Sequence, residues 1–165
     1  RYHGVVKKFV RQFKYKPYLS GLKEIMGRLF EESLSENETF YKLLTDDSLI
    51  VPIPLHKNRE RKRGYNHAAL LASYVAQYFK VAYEFQILLR IKNTRAQFEL
   101  DKKKRADNIK DAFAINAKEK GKIIGKTVFI IDDLATTCTT LREAANVLKR
   151  NGAKKVWGIT FAREI

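Results

Sequence analysis

The sequence predicts an α/β fold in which a mostly parallel sheet of about five strands is flanked by helices and preceded by a helical segment. Three observations predict it. Runs rich in β-branched and aromatic residues recur at Leu49–Ile53, Phe85–Leu89, Ala112–Ile115, Val128–Ile131 and Val156–Phe161, each of strand length. Stretches with helical spacing of apolar residues lie between several of them, and strands interleaved with helices build parallel sheets. The chain has 165 residues and 45% hydrophobic content, which suits one domain with a full core. That domain spans 1–165, with N-terminal helices over about 2–44 and a core over about 49–165.

Tyr2 to Lys16 places Val5, Val6, Phe9, Val10 and Phe13 on one helical face, with Lys7, Lys8, Arg11 and Lys14 opposite. Pro17 ends it. Tyr18 to Glu32 repeats the pattern with Leu22, Ile25, Met26, Leu29 and Phe30 facing in. Ser33 to Thr39 reads as a polar connection and Phe40 to Leu44 as a short helix. Leu49 to Ile53 is the first core strand. Pro52 lacks an N–H for a ladder, so this strand is expected at an edge or to be locally irregular. Ala68 to Phe79 is a helix with Leu70, Leu71, Tyr74, Val75 and Tyr78 inward. Phe85 to Leu89 is the second strand. Arg90 to Asp111 is long and charged, as lids and binding segments often are. Ala112 to Ile115 is the third strand. Gly121 and Gly125 flank a turn, and Val128 to Ile131 form a strand buried on both faces. Leu141 to Arg150 is a helix with Leu141, Ala144, Ala145 and Leu148 on one face, closed by Asn151-Gly152. Val156 to Phe161 is the fifth strand.

Lys and Arg number 33 against 18 Asp and Glu, a net charge of +15. Such a surplus favours polyanionic partners: nucleotides, pyrophosphate or nucleic acid. A single cysteine forbids an internal disulfide and a thiolate zinc cluster, so zinc is not expected in this chain. No apolar run reaches membrane length and no signal-peptide pattern appears, which reads as a cytoplasmic protein. The sequence opens on Arg1 and its sole methionine is Met26, the pattern of a trimmed chain.

The chemistry concentrates after Ile131. Asp132 and Asp133 stand where the strand should end, and Leu134, Ala135, Thr136, Thr137, Cys138, Thr139 and Thr140 lead into the helix. Ligands bind beyond the carboxyl ends of strands in open α/β sheets. Helix N-termini and threonine hydroxyls favour an anion. The carboxylates would repel that anion, and suit ribose hydroxyls or a magnesium ion bridged through water. A capped helix, with Thr139 or Thr140 as N-cap, would explain the threonines alone, but not two adjacent carboxylates. His56 to Asn66 forms a second concentration. Six of these eleven residues are basic when His56 is counted. As a cationic loop at a strand's end, His56, Lys57, Arg59, Arg61 and Arg63 suit pyrophosphate, since arginine forks grip phosphate bidentately.

Asp132 to Thr140 resembles the signature of type I phosphoribosyltransferases, an acidic pair followed by a Thr-Thr-Gly-x-Thr loop. The resemblance implies that Asp132 and Asp133 contact the ribose of 5-phosphoribosyl-1-pyrophosphate (PRPP), that Leu134 to Thr140 wrap its 5-phosphate, and that Mg²⁺ is held indirectly through the two aspartates and PRPP. Cys138 replaces the signature's glycine, at a position where glycine allows unusual dihedrals. A wider set of motifs resembles the ComF (ComFC) family of competence proteins: Val51-Pro52-Ile53-Pro54-Leu55-His56-Lys57, Arg61-x-Arg63-Gly64-Tyr65-Asn66, Thr94-x-x-Gln97-x-x-Leu100 and Arg105-x-x-Asn108-x-x-x-Ala112-Phe113. With Tyr2-His3-Gly4 and Phe13-Lys14-Tyr15 the likeness covers nearly the whole chain. His67 departs from that family's usual glutamine, and this sequence starts where the cysteine zinc ribbon that commonly comes first there would end. The resemblance implies a type I phosphoribosyltransferase-like fold acting in DNA uptake during natural transformation, with single-stranded DNA and a helicase-like protein as partners. It also implies a pyrophosphate loop at His56 to Arg63 and a mobile loop around Gln97, Arg105 and Asn108.

An acceptor base is harder to find. Purine-salvage relatives carry an acidic residue where this chain has Thr136, and a hydroxyl is a poor base, so purine salvage is disfavoured. Three readings follow: a PRPP-binding competence protein that contacts single-stranded DNA, with exposed tyrosines such as Tyr65 available for stacking; a metabolic phosphoribosyltransferase with a non-purine acceptor; and a ligand-less adaptor of the same fold. No residue is singled out as catalytic.

Overall fold

The computed structural model describes residues 20–94 and 109–163. The helix expected over Tyr2 to Lys16 and the loop residues Gln97, Arg105 and Asn108 lie outside the described residues.

Helix α1 (Ser20–Ser35) runs three residues past its expected end, and α2 (Glu38–Leu43) follows. Asn37 caps α2, its side chain accepting the Phe40 N–H at 3.0 Å. Then come β1 (Ser48–Pro52), α3 (Lys57–Arg63), α4 (His67–Phe79), β2 (Ala82–Tyr83), β3 (Leu88–Arg90) and β4 (Phe113–Ile115). A 3-10 turn at Lys120–Ile123 leads into β5 (Thr127–Ala135), α5 (Thr139–Arg150) and β6 (Lys155–Arg163). Four strands pair in parallel in the order β2-β1-β5-β6, and β3 and β4 form a separate antiparallel ribbon. The mostly parallel sheet is as expected, with four strands among the described residues, but two of the five expected strands, those at Phe85 to Leu89 and Ala112 to Ile115, pair with each other in the ribbon instead, and β2 was not foreseen. The segment read as one strand at Phe85 to Leu89 is divided: the Glu84 N–H makes the last bond to β1, at Ile50 O, exposed Phe85 and Gln86 carry the chain off the sheet, and Leu88 starts the ribbon.

Two apolar layers sandwich the sheet. Leu49, Val51, Val128 and Ile130 pack with α5, the 3-10 turn and the ribbon; Ile50, Phe129 and Ile131 pack with α1, α2 and α4. This is the period-two alternation of strands buried on both faces. At about 25 cal/mol per Å² of apolar surface, each fully buried Ile or Phe here contributes roughly 1.5–3 kcal/mol.

The helices turn a different arc inward from the one their largest residues suggest. In α1, Met26, Phe30 and Leu34 are buried, while Ile25 and Leu29 are about half exposed. In α4 the buried line is Ala68, Leu71, Ala72, Val75 and Ala76, and Tyr78 points outward. Small residues let α4 lie close to β1 and β5, and α1 follows suit: a Cβ on Gly27 would stand 2.8 Å from the Tyr74 ring. Pro52 also corrects an expectation. Strand β1 is interior, not an edge. The Ile53 N–H donates to Ile131 O on the β5 side at 2.8 Å, so the neighbouring Pro52 nitrogen faces the side where β2 has already ended. No ladder bond is lost there. The end of α5 matches expectation: Gly152 (φ 108°) bonds Lys149 O and Ala153 N bonds Leu148 O, the pairing that satisfies a helix's last carbonyls.

Candidate functional site

Strand β5 runs through the acidic pair instead of stopping before it. On one side β1 ends at Pro52, opposite Ile131, so Asp132 and everything after it project beyond the neighbouring strand. Ile131 and Leu134, three residues apart, both pack on the α1–α4 layer, so strict alternation breaks between them. The Asp133 N–H donates to the Asp132 carboxylate at 2.9 Å. Asp132 is half-buried, whereas Asp133 is 8% exposed.

The loop after the pair turns sharply. Cys138 takes φ 56°, ψ 12°, and caps α5 through its backbone, its carbonyl accepting the Arg142 N–H at 3.0 Å. The cap is therefore neither Thr139 nor Thr140, which occupy the first turn. Thr137 and Thr139 share a hydroxyl hydrogen bond of 2.7 Å. The Thr136 hydroxyl is buried without a partner among the described residues. Asp132, Thr136, Cys138, Thr139 and Thr140 line a hollow of about 10 Å³, room for a single water. The first amides of α5 stand at its rim, lacking intrahelical acceptors as all helix starts do.

The basic segment expected as a loop is helical. His56 caps α3, its Nδ1 accepting the Asn58 N–H at 3.3 Å, and Gly64 closes the helix at φ 82°. Asn66 then caps α4 by accepting the Ala68 N–H at 3.1 Å and donates to Ile53 O at 2.9 Å, which fixes α4 to the end of β1. The helix divides its cations by four-residue spacing. Arg59 and Arg63 are half-buried; Lys57, Arg61 and Lys62 are exposed. Arg59 donates to the carbonyl of Thr94. Arg90, at the end of β3, lies 5.5 Å over the Phe113 ring and donates to the Thr94 hydroxyl. Its burial and the neighbouring Arg59 push the Arg90 guanidinium down to about 10, Asp132 pulling the other way and Arg63 adding to the repulsion. Arg59, Arg63 and Asp132 are thus each electrostatic neighbours of Arg90. Tyr65, named above as a candidate for stacking, is half-buried against His67, ring centroids 4.7 Å apart, and burial raises its phenol. Arg90 and Thr94 carried no site role in the sequence reading. The signal was an arginine closing an apolar run, read there as the start of a loop.

Residues 65–164 match the phosphoribosyl transferase domain. The chain belongs to that family. Within this phosphoribosyl transferase domain the ComF likeness also holds. Competence protein F of Haemophilus influenzae is 29% identical over 155 residues, covering 93% of this chain and 66% of the relative. Competence protein ComFC of Bacillus subtilis is 32% identical over 164 residues, covering 98% of this chain and 61% of the relative. The chain thus spans 66% and 61% of these two competence proteins, which it resembles over nearly its whole length, and it carries the type I phosphoribosyltransferase fold. The solved glutamine PRPP amidotransferase from B. subtilis superposes with a TM-score of 0.54 at 17% identity, over 85% of this chain and 26% of that one, a likeness of fold. No helix among the described residues is long and apolar enough to cross a membrane.

Proposed function

We propose that this domain binds PRPP and serves a ComF-type role in DNA uptake on the cytoplasmic side, contacting single-stranded DNA alongside a helicase-like protein. The names of its competence relatives support the role. One observation carries the ligand: Asp132 stands on the rim of a hydroxyl-lined turn that opens onto the first amides of α5, with Arg90 as an electrostatic neighbour that Arg59 and Arg63 also approach. Asp132 would accept from ribose hydroxyls, with Asp133 beside it. The 5-phosphate is larger than the hollow, so it would lie at the mouth, over the amides of Thr139 and Thr140, where helix partial charge favours it. Arg59 and Arg63 would take the pyrophosphate, and its charge would offset their repulsion with Arg90.

Magnesium fits this arrangement only as a passenger of the ligand. Among the described residues no three His, Cys, Asp or Glu side chains converge on a metal position. Magnesium is commonly held by substrate phosphates with one or two carboxylates, the donor set that Asp132, Asp133 and PRPP would supply. The ion's chemistry would be to neutralise charge on the pyrophosphate; the protein's part is to orient the ribose and hold the leaving group.

Isothermal calorimetry tests the reading. The native chain should bind PRPP with magnesium, and the Asp132→Ala, Asp133→Ala double variant should lose at least tenfold in affinity. Equal heats from the two would favour a ligand-less adaptor. Pyrophosphate release with a defined non-purine acceptor would make the domain a metabolic transferase.

A further inference from the structure

A second hollow flanks the end of β1 on the side away from β5. It holds about 580 Å³ and runs from Pro52 and Asn66 across to the ribbon. Its outer wall is a ledge of Phe85, Leu89 and Ile91, exposed by 58%, 40% and 57%. Leu89 and Ile91 share a face, two residues apart, and Arg90 between them turns toward Thr94 and Phe113. Phe85 stacks on Tyr83, centroids 6.1 Å apart at 27°, which steadies its ring in the open. Glu60 is the single carboxylate among the lining residues. Along the rim an open hollow shares Lys57 and Glu60 and adds Arg61 and Gly64. Lys57 and Arg61 are one helical turn apart, exposed, and make no ion pair among the described residues.

We propose that this ledge and rim form a track for single-stranded nucleic acid, with bases on Phe85, Leu89 and Ile91 and phosphates at Lys57 and Arg61. The inference rests on the DNA contact proposed above and gives it a place separate from the PRPP site. Single-strand binders pair a cationic groove with aromatic faces on which bases stack. Both parts are present side by side, on a chain of net charge +15. The arrangement divides α3 by function: Arg59 and Arg63 lie toward Arg90, while Lys57 and Arg61 face the track. It also moves the stacking surface from Tyr65, which is packed on His67, to Phe85.

Fluorescence anisotropy with a labelled oligothymidylate, measured across a range of salt, tests it. Each phosphate contact on a single strand contributes about −0.7 to the slope of log affinity against log salt. Lys57→Ala with Arg61→Ala should flatten the slope by about 1.4. Phe85→Ala should weaken binding about tenfold with the slope unchanged. An abasic oligomer should bind native and Phe85→Ala chains equally. PRPP calorimetry on Phe85→Ala should match the native chain. A native chain that binds the oligomer while the double variant and Phe85→Ala bind it equally well overturns the track and leaves the proposed DNA contact standing. A native chain that ignores the oligomer at low salt overturns both and leaves the ledge to an acidic protein. Loss of PRPP binding in Asp132→Ala, with oligomer binding intact, separates the two sites.

Discussion

The backbone N–H of Asp133 donates to the side chain of Asp132 at 2.9 Å. The carboxylate proposed to meet a sugar therefore also holds the strand's own backbone where alternation breaks. The two duties separate by substitution. Asp132→Asn keeps an oxygen acceptor for that N–H and removes the charge. Its unfolding midpoint in urea should match the native chain, while PRPP affinity falls about tenfold, the scale of one hydrogen bond to a charged group. Asp132→Ala should lose the same affinity and about 1 kcal/mol of stability as well. Matching PRPP affinities for Asn and the native chain would remove Asp132 from the ribose contact.

Cys138 adopts a left-handed backbone, φ 56°, at the turn where its signature relatives use glycine. An L-residue there costs about 1–2 kcal/mol, offset in part by its packing against the α5 layer. Cys138→Gly should therefore leave stability within about 1 kcal/mol of native and keep or tighten PRPP binding. Cys138→Val, with a β-branched side chain at positive φ, should destabilise by more than 1 kcal/mol, roughly. Urea unfolding and calorimetry read the two. A large affinity loss in the glycine variant would show that the thiol side chain itself contributes.

Asn66 joins two elements with one side chain, capping α4 and donating to Ile53 O at the end of β1. Asn66→Ala should lose about 1–3 kcal/mol in chemical unfolding. Asn66→Asp keeps the cap acceptor and loses the donor, so it should recover part of that loss. An aspartate variant as unstable as the alanine one would mean the cap carries nothing.

What the sequence disclosed depended on how local the cause was. The buried runs of β1 and β5 and the signature helix were legible because strand period, apolar content and the Asn151-Gly152 stop all act within a few residues. The inward arc of α4 was not. It depends on Ala72 and Ala76 meeting the sheet closely, a tertiary requirement that favours small residues over Leu70 and Tyr78. The interior place of Pro52 was likewise hidden, since it rests on the shortness of β2. At the site, Asp132 and the threonine turn were visible as a pattern. Their neighbour Arg90 was not, because it arrives from the ribbon and meets Asp132 only in three dimensions. The cations of His56 to Arg63 were visible as charge, but their division into two faces required knowing that the segment is a helix.

Arg90 gives a pH signature with a definite sign. Its native value of about 10 lies below the ordinary arginine range, so the folded chain releases this proton first. Between the two the unfolded chain holds more protons, and this group's contribution to stability rises with pH. At neutral pH the cost of burying the charge beside Arg59 is fully present. A bound pyrophosphate would favour the charged form, so the part of its affinity lost in Arg90→Met should be largest well below pH 10 and vanish as pH rises through about 10. Arg90→Met removes the buried charge and the unpartnered Nε while keeping an apolar stem on Phe113. Without ligand it should be as stable as the native chain or more so, as when buried ions give way to packed apolar groups. With pyrophosphate it should gain less in melting temperature than the native chain does. A ligand-free variant weaker by more than about 1 kcal/mol would instead make Arg90 a structural strut between Thr94 and Phe113.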